Sequence, residues 1–224
     1  MISVCLWGEN GRMGSEVTQA VSRVSSFSSQ IKLEALSPQT AGVIDFSSAN
    51  GLLDLLKKLS DEKSNAWVVS GSTGLTTTQK TELAEYAKSR PILWAANFSL
   101  GVFALSRLLS AASQLPELRT FVAHIKEIHH IHKKDAPSGT ALLLKKYLPD
   151  ETKIESIRRG EVIGEHEVWF ESSAERLGLI HEAKKRAVFA EGAIESAILL
   201  TQKLKKNHNS LPKRLLDLQD VFSS

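Results

Sequence analysis

The chain has little of what marks a secreted, membrane-spanning or nucleic-acid-binding protein. One cysteine stands among 224 residues. It is Cys5, inside an apolar run, so no intrachain disulfide can form and the residue reads as core filler ahead of nucleophile. Net charge is scarce too, since 28 Lys and Arg against 25 Asp and Glu leave a formal +3. The bases are scattered apart from short clusters at Lys133–Lys134, Lys184–Arg186 and Lys203–Lys206. That is too little positive charge for a polyanion partner such as nucleic acid. The longest apolar runs, such as Ala193 to Leu200, are broken by charge and too short to cross a bilayer. The first residues carry no basic leader and reach a polar stretch by Gly8, which argues against a signal peptide. Internal repeats and low-complexity segments are missing as well. What remains is the expectation of a reduced, cytoplasmic globular enzyme or binding protein, with no membrane and no nucleic acid among its partners.

The first half alternates strand and helix patterns. Ile2 to Trp7 reads as a buried strand, then a glycine-bearing turn, then a helix from about Gly11 to Val24. Further strands are expected at Ile31 to Leu36, Val43 to Phe46, Trp67 to Ser70 and Ile92 to Ala95, with helices at about Ala49 to Leu59 and Thr77 to Lys88. This rhythm predicts an α/β fold with a Rossmann-like, doubly wound parallel sheet. One join is awkward: only Ser37 to Gly42 separate the second and third strands, whereas a crossover between parallel strands needs a dozen residues or more. Either the second strand is stunted or this corner lacks its connecting element. After a helix at about Gly101 to Gln114 the pattern changes. A long strand, Arg119 to His130, precedes a short helix, Thr140 to Leu148, and three strand candidates, Lys153 to Arg158, His166 to Ser172 and Arg176 to Glu182. That is an α+β layer. The expected domains are 1–98 with 187–224 for dinucleotide binding, and 99–186 for substrate binding and oligomerisation.

Two segments carry chemistry. Gly8-Glu9-Asn10-Gly11-Arg12-Met13-Gly14 follows the first strand, where a phosphate-binding turn needs glycines and free helix N–H groups. The spacing G-x-x-G-x-x-G departs from the standard fingerprint, Asn10 is able to take a left-handed conformation, and a ligand-free tight turn stays open. Gly71-Ser72-Thr73-Gly74 and Ala95-Ala96-Asn97-Phe98 follow later strands and mark the same crevice. The expected acidic residue at the tip of the second strand is missing, because the tip reads Leu36-Ser37-Pro38-Gln39 and Glu34 falls in mid-strand. Nothing there repels a 2′-phosphate, so NADH or NADPH is accommodated.

The second segment runs from Glu127 to Thr140 and holds three of the seven histidines within four positions. On a regular strand His130 and His132 share one face and His129 takes the other. Ser138 is suited to cap the helix that follows, and free N–H groups beside Lys133 make a carboxylate site. An imidazole next to that site holds a proton near neutral pH. A His-x-His metal pair, a nucleic-acid contact and a merely polar strand end are the alternatives. No CxxC or HExxH partner set accompanies the histidines, so no metal is expected.

At this point the residues resemble a known family, the 4-hydroxy-tetrahydrodipicolinate reductases (dihydrodipicolinate reductases) of the diaminopimelate route to lysine. The matching stretches are GxxGRMG at 8–14, IDFS at 44–47, GSTGL at 71–75, AANFSLGV at 95–102, HHIHKKDAPSGTA at 129–141, RRGEVIGEHEVWF at 158–170 and ERLGLIHEAKKRAVFAEGAI at 175–194. The resemblance implies hydride transfer from NADH or NADPH to an unsaturated heterocyclic dicarboxylate. It implies that His129 is the acid–base residue and Lys133 the second proton donor and carboxylate partner. His130, Ser138, Gly139 and Thr140 are implied as substrate contacts. Gly8, Glu9, Asn10, Gly11, Arg12, Met13, Gly71, Ser72, Thr73, Ala95, Ala96, Asn97 and Phe98 are implied as the cofactor cradle. Members close two domains over the substrate and assemble as homotetramers through the substrate-domain sheets.

This chain departs from the family in length, being shorter after the second strand and between the Thr140 helix and Arg158. Ser48 stands where an arginine often does, and Glu9 replaces a small residue. These departures bear on the adenosine side of the cofactor, the lid and the tetramer interface; none touches the catalytic string. A related reductase of another small carboxylate, and a non-catalytic nucleotide-binding homologue, are the competing expectations.

Overall fold

The structure, a computed structural model, describes residues 1–207 and 211–223. It divides into two compact units, one of residues 1–98 and 189–224, the other of residues 99–188. In the first unit five parallel strands alternate with helices: β1 (Ile2–Trp7), α1 (Arg12–Arg23), α2 (Ser25–Ser28), β2 (Ile31–Leu33), β3 (Gly42–Asp45), α3 (Ala49–Asp61), β4 (Trp67–Ser70), α4 (Thr77–Tyr86) and β5 (Ile92–Trp94). The sheet order is β2-β1-β3-β4-β5, which is the Rossmann-like doubly wound arrangement. Its strands read as continuous apolar runs because helices shield the sheet. On α3 the leucines at 52, 55, 56 and 59 follow the i, i+3, i+4, i+7 pattern and are all fully buried, packed with Val43, Val68 and Ile92. Each such side chain contributes on the order of 2 kcal/mol when buried.

The awkward join between β2 and β3 resolves in the register. Strand β2 has three residues, not the six expected, and no helix follows it. It pairs with the first half of β1, ending at Leu33 opposite Val4, whereas β3 pairs with the second half, starting at Gly42 opposite the same Val4. The chain therefore leaves β2 and enters β3 at one level along β1. It has no strand length to climb back, so eight residues suffice to cross. Glu34 N–H donates to the Val4 carbonyl at 2.9 Å and Ala41 N–H to the Ser3 carbonyl at 2.9 Å, which pins both ends of the link.

The second unit begins with α5 (Leu100–Ala112), a 3-10 turn at Pro116–Leu118 and β6 (Val122–His129). Helix α6 (Gly139–Lys145) and strands β7 (Lys153–Arg158), β8 (Gly164–Glu171) and β9 (Arg176–Ala183) complete it. The sheet order is β7-β6-β8-β9, with β6 and β7 parallel and the other pairs antiparallel. Leu105 and Leu109 of α5, with Ala141 and Leu144 of α6, cover one face through Ala123, Ile125, Val168 and Phe170. The chain then enters α7 (Ala187–Lys206), whose residues from Phe189 on belong to the first unit. Leu216 bridges to Leu93 of β5, and α8 (Leu218–Phe222) closes the described chain. Among the described residues no helix is long and apolar enough to cross a membrane.

Candidate functional site

In the first unit the strand tips are laced together at their C-terminal ends, where ligands of parallel sheets bind. Phe46 N–H donates to the Trp7 carbonyl, Gly71 N–H to the Asp45 carbonyl, and Ala95 N–H to the Ser70 carbonyl. The Asp45 side chain, fully buried, ties two of these loops together. It accepts from Ser47 N–H at 2.9 Å, Ser70 Oγ at 2.6 Å and Ser72 Oγ at 2.8 Å, and from Ser47 Oγ. Trp94 Nε1 donates to the Ser72 carbonyl at 2.8 Å, and the rings of Phe46 and Phe98 meet edge to face at 6.1 Å.

A cavity of about 850 Å³ opens beside the glycine turn, lined among others by Gly8, Glu9, Asn10, Gly11, Glu34 and Phe46. The left-handed residue of the turn is Gly8, at φ +87°, and a Cβ there would lie 2.9 Å from the Phe46 carbonyl group. Asn10 has no positive φ, so the glycine fingerprint needs no asparagine substitute. Helix α1 has Gly11 at its N-cap and so no side-chain cap, whereas Ser48, Thr76, Ser99, Ser138 and Asp217 cap α3, α4, α5, α6 and α8 with theirs. Uncapped first-turn N–H groups beside a cavity of dinucleotide scale fit an anionic phosphate linker.

The missing acid at the second strand tip is present after all. Alternation suggested a strand to Leu36, which put Glu34 in its middle. Because β2 ends at Leu33, Glu34 is the first residue beyond it, and it lines the cavity. Its carboxylate accepts from Ser3 Oγ at 2.7 Å and pairs with Lys32 at 2.5 Å, and the Lys32 hydrogen bond holds it below the usual carboxylate range.

In the second unit a polar row replaces the apolar one at the far end of the sheet. Ser156, Glu127, His166 and His181 sit opposite one another on β7, β6, β8 and β9, and His129 pairs with Arg158 one step along. Glu127 and His129 are two residues apart, so both point to the helix-covered face with Ile125. Glu127 is fully buried. One carboxylate oxygen accepts from His129 Nδ1. The other accepts from Arg158 Nη2 at 2.9 Å and from Ser138 N–H at 3.3 Å. Burial raises its proton affinity, but the Arg158 hydrogen bond and the interactions with Ser156 and His129 together outweigh that and hold the carboxyl below its ordinary range. Burial likewise lowers the pKa of His129 below the ordinary histidine value, with Glu127 opposing and Lys133 and Arg158 assisting. His166 meets the His129 ring edge to face at 5.1 Å, and burial pushes its pKa down to about 3.

Strand β6 stops at His129, so the alternation expected for 129, 130 and 132 does not continue. Lys133 N–H donates to the His130 carbonyl in a turn, and the His132 side chain is exposed. No cluster of metal ligands occurs among the described residues. Lys133 pairs with Asp135 at 2.8 Å. The Ser138 hydroxyl caps α6 by accepting from Ala141 N–H at 3.1 Å, and Thr140 is buried in the first turn.

The structure thus gathers His129 and Ser138 around Glu127, with the charge of Lys133 acting on His129. It puts Gly8, Glu9, Asn10 and Gly11 on one cavity, while Arg12 and Met13 begin α1 behind them. The loops at 71–73 and 95–98 lie along the same strand edge and do not line that cavity. Sequence reading gave no individual role to Asp45, Glu127, Arg158 or His166. For Glu127 a signal existed, its period-2 phase with His129. The others depend on cross-strand register, which has no local signature.

A family model described as dihydrodipicolinate reductase, N-terminus, matches residues 2–98, and one described as dihydrodipicolinate reductase, C-terminus, matches residues 101–222. A 4-hydroxy-tetrahydrodipicolinate reductase of Bdellovibrio bacteriovorus is 37% identical over 211 residues, covering 88% of this chain and 89% of the relative. One of Campylobacter jejuni subsp. doylei is 34% identical, covering 93% of this chain and 95% of the relative. Among solved structures, a dipicolinate-bound dihydrodipicolinate reductase from a Paenisporosarcina species aligns with a TM-score of 0.67 over 99% of both chains. At 20% identity that is a likeness of fold.

Proposed function

The chain belongs to the dihydrodipicolinate reductase family, and on that premise we propose how its residues carry out the NAD(P)H-dependent reduction of 4-hydroxy-tetrahydrodipicolinate to tetrahydrodipicolinate in lysine and diaminopimelate biosynthesis. Replacing a hydroxyl by hydrogen takes one hydride and one proton and releases water. The nicotinamide cofactor, when bound, supplies the hydride. Gly8 to Met13, Gly71 to Thr73 and Ala95 to Phe98 hold it along the strand edge of the first unit. The proton is the protein's to supply, and His129 supplies it. The carboxylates of the substrate are held by Lys133, which exchanges Asp135 for the ligand, and by His130, Ser138, Gly139 and Thr140.

The observation that carries this reading is the seating of His129. It is buried, with Nδ1 committed to Glu127 and Lys133 near enough to act on its charge. In the free protein burial favours the neutral ring. A dicarboxylate arriving beside it adds negative charge, which favours the imidazolium that then delivers its proton.

The protein works in the cytoplasm as a homotetramer that uses the sheet face left open by α5 and α6. Val122 and Ile180 stand on that face, 69% and 58% exposed.

The test is oxidation of NADH or NADPH, followed by absorbance, in the presence of freshly condensed pyruvate and aspartate semialdehyde. Turnover with at least one cofactor is expected, and a rate no higher than the enzyme-free control with both would sink the reading. His129→Gln is expected to lower kcat on the order of 100-fold with little change in KM. Thr140→Val is expected to act mainly on KM, and equal kcat losses in both variants would contradict this division.

A further inference from the structure

The polar row of the second unit contains a carboxylate with no counterpart in the roles above. Glu127 is fully buried, and burying a charge is costly unless it is paired and hydrogen-bonded. Here the charge is paired twice. Arg158 and the Ser138 N–H hold one carboxylate oxygen, which leaves the other for His129 Nδ1. Arg158 Nη2 also donates to the Asp135 carbonyl, so the same clamp reaches the turn that carries Lys133. The opposite edge of the His129 ring passes Gly164 of β8, where an added Cβ would lie 3.1 Å from Nε2. A carboxylate on one ring nitrogen and a glycine beside the other is an orienting arrangement.

We propose that Glu127 is the positioning residue for His129: its clamped carboxylate accepts a hydrogen bond from Nδ1–H and so fixes Nε2 as the nitrogen that exchanges a proton with substrate. This rests on the reading of His129 as the proton donor. Every proton is accounted for, since Nδ1–H stays on the imidazole throughout while Nε2 gains a proton from solvent and gives it to the departing oxygen. Glu127 never protonates and never touches the reacting atoms.

The charged and titratable groups facing the ring come from each packed element: Glu127 on the same strand, Arg158 on β7, His166 on β8, and Lys133 in the turn. Arg158 and Lys133 disfavour the imidazolium, and His166 stays neutral. Glu127 is the group that favours it. Activity that needs protonated His129 falls as pH rises through the pKa of that ring. Removing the Glu127 charge lowers this pKa, so the falling limb moves to lower pH.

Two measurements decide the matter. Nitrogen NMR of the full chain with labelled imidazoles, without substrate, should find neutral His129 protonated at Nδ1. The Nε2–H tautomer would overturn the proposal, and this holds whether or not any variant folds. In kinetics, Glu127→Gln should lower kcat at pH 7.5 between about 10-fold and 100-fold, below the range of a lost acid–base group. KM should stay within about threefold, and the falling pH limb should move acidward by about one unit, the size expected when one neighbouring charge is removed. Glu127→Asp should recover part of both. A Glu127→Gln enzyme with the wild-type pH profile would refute the role, and so would parallel losses in kcat and KM with no shift. If wild-type protein fails to turn over the condensed substrate, the functional reading falls while the tautomer result still stands or fails by itself.

Discussion

Glu34 shows how one strand boundary changes a chemical expectation. Placed in mid-strand, it had no bearing on the cofactor; placed one residue past β2, it puts a carboxylate on the cavity beside the glycine turn. A negative charge at this tip favours ribose hydroxyls and opposes a 2′-phosphate. The Lys32 partner, 2.5 Å away, offsets part of that charge, so discrimination should be modest. We expect kcat/KM for NADH to exceed that for NADPH by about tenfold, equivalent to about 1.4 kcal/mol. Glu34→Gln should narrow the gap by raising the NADPH value. Steady-state kinetics with both cofactors checks this, and an unchanged ratio in Glu34→Gln would remove Glu34 from cofactor selection. The misreading had a physical source. Ile31 to Leu36 alternates well enough to read as one strand, but only Ile31 to Leu33 pair with β1, and Cys5 to Trp7 further along β1 line the cavity instead. No local pattern encodes that limit.

At the scale of elements, the parallel sheet of the first unit was the most legible part of the chain. Its strands are short apolar runs between helices with clear periodicity, and α3 announces its buried face through Leu52, Leu55, Leu56 and Leu59. Strand β6 was legible as a strand but not in its end, because the turn at His130 to Lys133 is made by backbone hydrogen bonds that no residue type signals. The row crossing that strand was invisible for a further reason: His166 joins it from 37 positions beyond His129, through antiparallel register alone.

That row has a cost in acid. His166 has an ordinary pKa of 6.5 when unfolded and about 3 in the fold. Between those values the unfolded chain binds a proton that the folded one refuses. The stability it contributes is therefore complete above pH 6.5 and lost as pH falls towards 3, by up to about 1.4 kcal/mol per pH unit. Burial lowers the pKa of His129 and His181 as well, and these add in the same direction. The thermal midpoint of the wild-type protein should drop between pH 6.5 and pH 4.5, and less steeply in His166→Gln. Equal slopes would show that His166 does not carry the acid sensitivity.

At the scale of the whole molecule, the second unit has a sheet covered by helices on one face. On the other face Val122, Trp169 and Ile180 alternate with Lys126, Glu165 and Glu167, and Arg176 lies over the Trp169 ring at 4.6 Å. Apolar groups more than half exposed on an uncovered sheet face, as Val122 and Ile180 are, are poorly served by water, and a second copy of the same face would cover them. Because a two-fold interface presents each residue twice, one added charge near its centre is duplicated and repels itself. Ile180 is the useful probe. Its cross-strand partner is Glu167, which already accepts a hydrogen bond from Lys126 at 2.8 Å, so a lysine at 180 has an anion beside it and the isolated fold should tolerate it. Wild-type protein is expected to run at four times the mass of the 24.6 kDa chain in light scattering. Ile180→Lys should run as a smaller species with an unchanged circular dichroism spectrum. A wild-type monomer would exclude the assembly, and a variant still tetrameric would move the interface away from this face.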